Sequence, residues 1–278
     1  MKRVLAISGG VDSMVLLDFC VKKFGKEEIV VAHFNHGTRK SAETDEKFVE
    51  KKCRELGVDF FVGHGELGEN ISEEKARQKR YEFLGRVAEK FDGAKILTAH
   101  HLDDLIESVT INFLRGTGWR GLAVMNNEKI ERPLIAWTKK DILKYAAENE
   151  IIFREDPTNN SEAYLRNRIR KNTRDLPIVT KKKLLKLRNR QIEVGLEIEE
   201  ICREILPKSE KYPREIFKNV DDKIGIELLR FVLSGAKMSA TLPQTLDFLN
   251  AIRNYNSGKK FNLPNDKLVK IDKKTFVI

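Results

Sequence analysis

Residues 3–24 constrain the fold more than any other stretch. Val4, Leu5, Ala6 and Ile7 form a short continuous apolar run of the kind a buried strand gives. Residues 14–24 follow with Val15, Leu16, Phe19 and Cys20 on one helical face. Between them lies the turn Ser8, Gly9, Gly10, Val11, Asp12, Ser13. A glycine-rich turn leading into a helix presents consecutive backbone N–H groups at the positive end of the helix dipole, and that is an anion site. Gly9 and Gly10 permit backbone angles and a close approach that side chains obstruct. The turn has no lysine, unlike the G-x-x-x-x-G-K-S/T phosphate loop, and it is not the dinucleotide G-x-G-x-x-G. Charge for its anion has to come from elsewhere in the fold.

The alternation continues downstream. Residues 29–33, 58–62, 95–99 and 130–134 read as strands, and 42–56, 72–90, 102–114 and 139–149 as helices, with Ser41 and Thr138 as N-caps. This pattern implies an α/β fold: a doubly wound, mostly parallel sheet covered on both faces. Ligands of such sheets bind beyond the carboxyl ends of the strands. Residues 8–13, 33–37 and 100–104 all fall at that edge, which argues for one site. Residues 115–121 read as an irregular, mobile basic loop, and 164–171 as a strongly basic helix. Pro177 marks a boundary. A catalytic domain is expected over 1–180, a connecting helix over 181–210 and a small, mainly helical domain over 211–278. In the last, residues 207–213 break the chain, helices fall near 224–233 and 241–253, and the tail is hairpin-like.

The chain carries 52 Lys and Arg against 42 Asp and Glu, a net charge of +10. That balance suits either a solvated Lys/Glu-rich surface or a polyanionic partner such as RNA. Its three cysteines, Cys20, Cys53 and Cys202, form no C-x-x-C pair. This argues against a disulfide scaffold, a zinc knuckle and a cysteine-held iron–sulfur cluster. There is neither a signal peptide nor an apolar stretch long enough to span a bilayer, so a cytoplasmic protein with no membrane association is expected.

Several side chains could carry chemistry at the strand edge. Asp12 in an anion loop is either a magnesium ligand or a helix cap, since a bare carboxylate repels phosphates. Ser8 and Ser13 offer hydroxyl donors or cap the helix. Asp104 and Glu107 share a helix face, where they could hold magnesium, accept from an amine, or complement the dipole as ordinary first-turn acids. His100, at a strand end, reads as a phosphate or leaving-group contact, or as a structural histidine. His33 and Phe34 are placed to hold adenine. Arg77 and Arg80 share a helix face, and Arg166, Arg168, Arg170 and Lys171 are concentrated enough to suggest a pyrophosphate or RNA backbone as their partner. Arg115 and Arg120 suit a substrate-gated loop.

The string from Ser8 to Ser13 resembles the pyrophosphate loop of the N-type ATP pyrophosphatases, a superfamily that includes GMP, NAD and asparagine synthetases and tRNA thiolases. Further strings narrow the likeness. They are Asn35-His36; Glu74 with Arg77, Arg80 and Tyr81; Ala99-His100-His101-Leu102-Asp103-Asp104 with Glu107; Leu114-Arg115-Gly116; Arg132-Pro133-Leu134; Asp156 with Asn160; and Arg166-Asn167-Arg168-Ile169-Arg170. Together, over about residues 3–177, they resemble the tRNA(Ile)-lysidine synthase family.

That resemblance implies a sheet of the adenine-nucleotide alpha-hydrolase type, ATP with Mg2+ on the 8–13 loop, and Asp12 as the metal ligand. It implies cleavage of ATP to AMP and pyrophosphate through adenylation of the wobble cytidine in the CAU anticodon of tRNA(Ile). Free L-lysine then displaces AMP to give lysidine. Asp104 and Glu107 would receive the lysine amine. Arg80 and His100 would stabilise the phosphates, and Arg166, Arg168 or Arg170 would contact the nucleotide. The small C-terminal domain would bind tRNA, and a homodimer is implied. Leu105, Ile106 and Ser108 depart from the family's Gln, Ala and Thr, although Glu107 is kept. A further tRNA acceptor-recognition domain of many relatives is not expected here. Two other readings stand beside this one: another adenylating tRNA enzyme such as a 2-thiolase, and a non-catalytic RNA-binding protein.

Overall fold

The computed structural model describes residues 1–37, 42–65, 73–154, 165–263 and 267–278, and the side chains of residues 73 and 165–167 lie outside the description. The chain forms two compact units, Met1–Gln191 and Ile192–Ile278.

In the first unit the elements run β1 (Arg3–Ala6), α1 (Val11–Phe24), β2 (Ile29–Asn35), α2 (Ala42–Leu56), β3 (Asp59–His64), α3 (Glu73–Glu89), β4 (Lys95–Leu97), α4 (Leu102–Leu114), β5 (Ile130–Glu131), α5 (Lys139–Glu148) and α6 (Leu165–Thr173). Helix α7 (Ile178–Ile205) starts in this unit and ends in the next. The five strands are parallel in the order β3-β2-β1-β4-β5. Successive residues of each strand face opposite sides of the sheet. Leu5, Val31 and Leu97 therefore join a core with Met14, Leu16, Leu17 and Ile142, while Val4, Val30 and Ile96 pack against Phe83, Leu84 and Val87 of α3. A third cluster seats α4 through Leu102, Leu105, Ile106 and Val109, with Leu184 and Leu185 packed against it. The order reverses between β1 and β4, where the ends of the strands leave a crevice.

Two expectations are corrected in this unit. Residues 33–37 are not all loop: β2 continues through Phe34 and Asn35, because β3 pairs with it in register as far as Asn35 opposite His64. Residues 115–121 are not wholly irregular either. A 3-10 turn spans Trp119–Leu122, and the segment is tied back to α4. Asn112 Nδ2 donates to Gly121 O at 2.7 Å and Thr117 Oγ1 to Asn112 O at 3.0 Å. Thr138 caps α5 as expected, in a reciprocal box with Asp141. The expected cap Ser41 and the residues Asp156 and Asn160 fall outside the described residues.

The second unit contains β6 (Lys211–Pro213), α8 (Glu215–Lys218), α9 (Asp222–Gly235), α10 (Leu242–Asn254), β7 (Lys259–Leu263), β8 (Lys267–Ile271) and β9 (Thr275–Val277). The tail strands β7, β8 and β9 join β6 in one antiparallel sheet, ordered β6-β9-β8-β7. Residues 211–213, expected only as a break, are its edge strand, where Pro213 costs no interior ladder bond. Its core gathers Phe217, Leu229, Phe248, Ile271 and Phe276.

Candidate active site

The loop after β1 is built around one hydroxyl. Ser13 Oγ accepts from the Ser8 and Gly9 amides at 3.2 and 3.1 Å and donates to Gly10 O at 2.8 Å. Gly9 has φ +92°, a left-handed conformation that glycine adopts without strain. Its carbonyl accepts from the Arg154 amide at 3.0 Å. The Ser8 and Gly9 amides are therefore consumed inside the loop. The donors left for an anion are those of the first turn of α1, whose N-cap Gly10 supplies no side-chain acceptor.

A cavity of about 260 Å³ opens beside this loop. Ser8, Asp12, Ser13, His33, Phe34, Arg80, His100 and Asp104 all line it, so residues spread over nearly a hundred positions meet at one sheet edge. Ala6, Ala32, Phe34 and Leu84 give it an apolar side, and Phe34 is itself backed by Phe83 at 5.7 Å. His33 is buried, and its ring Nδ1 bonds Ile7 O at 2.9 Å, joining β2 to the chain end of β1. Burial pushes its pKa down, against a raising effect of that bond. His100 Nδ1 meets Thr98 Oγ1 at 2.8 Å. Burial pushes the His100 imidazole down to about 4; Asp104 pulls it up, and Arg132, Arg80 and Arg77 push it further down. At neutral pH it is an uncharged hydrogen-bonding group.

The acidic residues are not free-standing. Lys139 Nζ donates to Asp12 Oδ1 at 2.5 Å. His101 caps α4, with Nδ1 accepting from Asp103 N at 3.3 Å and Nε2 lying 3.5 Å from Asp104 Oδ2 and 3.9 Å from Asp12 Oδ1. Asp104 Oδ2 completes the box by accepting from His101 N at 3.0 Å. Glu107 is only 1% exposed, and Arg170 grips it with Nε to Oε1 at 2.5 Å and Nη2 to Oε2 at 3.2 Å. That grip comes first in raising the Arg170 pKa. Burial pushes the Asp103 carboxyl up, but the buried Lys181 ammonium at 2.7 Å and the Lys139 amide outweigh it and leave it lowered.

The cavity wall thus gathers most of the residues expected from sequence. Glu107 and Arg170 pair with each other behind Asp104, with Arg170 Nη2 3.9 Å from Asp104 Oδ1. Arg168 is exposed on α6, and the Arg166 side chain lies outside the described residues. Lys139, Lys181 and Arg154 were not anticipated, and His101 was named in the string from Ala99 to Asp104 without a role. Lys139 sits 127 residues from Asp12, and no local pattern announces such a pair.

Among the described residues, no group of three His, Cys, Asp or Glu is placed to hold a metal ion. Asp12 is the one carboxylate that the loop brings to the cavity, and a single carboxylate completed by substrate phosphates and water suits Mg2+. The residues present fit that ion.

Comparison with known proteins agrees with this geometry. The PP-loop domain family model matches residues 1–175. The tRNA(Ile)-lysidine synthase of Thermotoga maritima is 37% identical over 179 residues, which cover 60% of this chain and 43% of that protein. That of Thermosipho africanus is 40% identical over 177 residues, covering 60% and 42%. That of Thermus thermophilus is 42% identical over 175 residues, covering 60% and 34%. The chain therefore spans less than half the length of these relatives. Among solved structures, the U34-tRNA thiolase NcsA from Methanococcus maripaludis superposes with a TM-score of 0.59 at 20% identity, over 69% of this chain and 73% of that one, a likeness of fold.

Proposed function

Since the chain belongs to the PP-loop domain family, we propose that it uses ATP to adenylate the wobble cytidine of a CAU-anticodon tRNA(Ile) and then ligates L-lysine at C2. The observation that carries this reading is the single cavity joining the loop residues Ser8, Asp12 and Ser13 to Arg80, His100 and Asp104. Adenine fits the apolar side at Ala32, Phe34 and Leu84, and the phosphates then reach the first turn of α1. Asp12 would hold Mg2+ together with the phosphates, and the ion would neutralise charge on the departing pyrophosphate. The cytidine C2 oxygen attacks the alpha phosphorus and pyrophosphate leaves. The lysine Nζ, in its neutral form, attacks C2 and AMP leaves.

The surroundings divide the labour. His100, neutral and oriented by Thr98, suits a hydrogen bond to a phosphoryl oxygen better than a charge contact. Asp104 borders the cavity while Glu107 is held by Arg170, so Asp104 is the carboxylate open to an incoming lysine ammonium. Glu107 fixes Arg170, whose Nη2 stands 3.9 Å from Asp104 Oδ1. A sulfur-transferring alternative lacks a reactive thiol near the site. Cys20 and Cys53 are buried in the core, and burial pushes both up to about 12. A homodimer remains part of the proposal, with the exposed Leu196, Ile201 and Ile205 of α7 as its apolar surface. Light scattering reads the mass directly. Among the described residues no helix is long and apolar enough to cross a membrane.

The test combines the protein with ATP, Mg2+, labelled lysine and bulk tRNA. Label is expected on CAU-anticodon tRNA(Ile), with pyrophosphate released alongside. Pyrophosphate release driven by a different acceptor, without lysine transfer, would sink the reading. Asp104→Asn is expected to abolish transfer while tRNA affinity stays within about twofold, since the change removes charge but keeps the α4 cap geometry. An equal loss of tRNA binding would show that Asp104 is structural.

A further inference from the structure

The sheet of the second unit carries a feature that the nucleotide cavity does not use. Leu263, Val269, Ile271 and Phe276 turn one face of it into the core, and on the opposite face Lys211, Lys260, Asn262, Leu268 and Lys270 are exposed while Thr275 and Val277 are half-buried. Strand register sets one residue from each strand in a single row on that outer face. Lys211 pairs with Val277, Val277 with Lys270, and Lys270 with Lys260. All three lysines are exposed. Neighbouring strands lie about 4.8 Å apart, so the row spans roughly 14 Å.

Its energetics are unfavourable in isolation. Like charges directly across a strand pair destabilise it. Lysines on edge strands do guard against edge-to-edge association, which accounts for Lys211 on β6 and Lys260 on β7. It does not account for Lys270, which stands on the interior strand β8 directly opposite Lys260. Among the described residues its ion-pair partner is Asp272, with Oδ1 3.7 Å from Lys270 Nζ and both side chains solvated (37% and 63% exposed). Such a pair is worth little. Lys273 and Lys274 add charge at the β8–β9 turn, and Asn262 and Leu268 lie beside the row. A line of cations held at strand spacing complements a polyanion with regularly placed charges.

We propose that this sheet face binds the phosphate backbone of the RNA substrate, with Lys211, Lys270 and Lys260 each against a phosphate. The proposal rests on the reading that the substrate is an RNA, and it assigns the surface.

The experiment measures binding of bulk tRNA to the full chain between 50 and 200 mM salt. Each phosphate contact contributes about 0.7–0.9 to the slope of log affinity against log salt. The triple variant Lys211→Gln, Lys260→Gln, Lys270→Gln is expected to lower the slope by about 2–3 and to weaken binding at least about tenfold near 0.1 M salt. Lys270→Glu separates binding from folding. It turns the repulsion with Lys260 into attraction while giving up the weak, solvated pair with Asp272, so thermal stability holds while tRNA affinity falls. An unchanged slope in the triple variant overturns the proposal, as does a Lys270→Glu protein that binds tRNA as tightly as the parent. Lysine-dependent binding to phosphatidylserine vesicles with an unaltered tRNA slope overturns it in favour of a lipid surface. Should the parent transfer no lysine yet show the slope change, the proposed activity fails and this surface stands.

Discussion

Asp12 and Lys139 show how far a site can depart from its local sequence. The loop carries no lysine of its own, yet an ammonium from the first residue of α5 rests on its one carboxylate. The expectation had distant arginines and a metal ion sharing the phosphate charge; Lys139 is an additional cation standing on the loop's own carboxylate. Both partners are partly exposed (41% and 35%), so the pair itself adds little to stability, and its weight falls on the ligand. Lys139→Met is expected to lower kcat/KM for ATP by about 10–100-fold, the value of one charged hydrogen bond to a phosphate. Lys139→Arg should retain most of it. Pyrophosphate release against ATP concentration, with calorimetric ATP binding beside it, reads the effect. No change in the methionine variant would confine Lys139 to a structural contact. Glu107 teaches the complementary lesson. Its spacing from Asp104 reads as a matched acidic pair, but tertiary packing buries it and hands it to Arg170.

At the scale of elements, the apolar wall of the cavity depends on a close approach between β3 and α3. Gly63 lies against the Phe83 ring, and a Cβ built there would meet ring atoms at 2.5–2.8 Å. Phe83 in turn backs Phe34. Gly63→Ala must displace an aromatic ring in a packed core, which costs about 1–3 kcal/mol. It is expected to lower the denaturation midpoint and to raise KM for ATP through Phe34. Gly63→Ala with Phe83→Leu should recover stability, because the smaller side chain clears the clash. Destabilisation that persists unchanged in the double variant would place the strain in the backbone of β3 instead. α4 shows local and tertiary signals agreeing. His101 and Asp104 close its first turn, and its apolar stripe seats the helix so that the capped end faces the loop.

Across the whole molecule, the buried His33 and half-buried His100 imidazoles link folding to pH. Both His33 and His100 are lowered, chiefly by burial, the latter to about 4. The unfolded chain binds these protons near pH 6.5, and the folded chain does not until the lowered values are reached. Stability is therefore fully present above about pH 6.5 and falls as pH drops toward 4, by roughly 3 kcal/mol for His100 alone. Denaturant midpoints between pH 7 and 4 should show this fall, and His100→Asn should flatten most of its share. A midpoint that rises over that window would show the folded state taking up the protons. Below about pH 4, Asp103 adds its own loss as the Lys181 pairing is protonated away. The parallel sheet and the loop at its edge were legible in the chain, because apolar runs, glycines and caps act over a few residues, and so do the fold class and the strand ends where ligands gather. The extension of β2 through Asn35, the edge strand at residues 211–213, the fastening of residues 115–121 and the lysine row were not. Each depends on pairing or hydrogen bonding with a partner that local pattern does not specify. Sequence by itself determined which residues stand at the strand ends. Only the tertiary structure decided which charges meet there, because Lys139, Arg170 and Lys181 reach Asp12, Glu107 and Asp103 across 63 to 127 residues of chain.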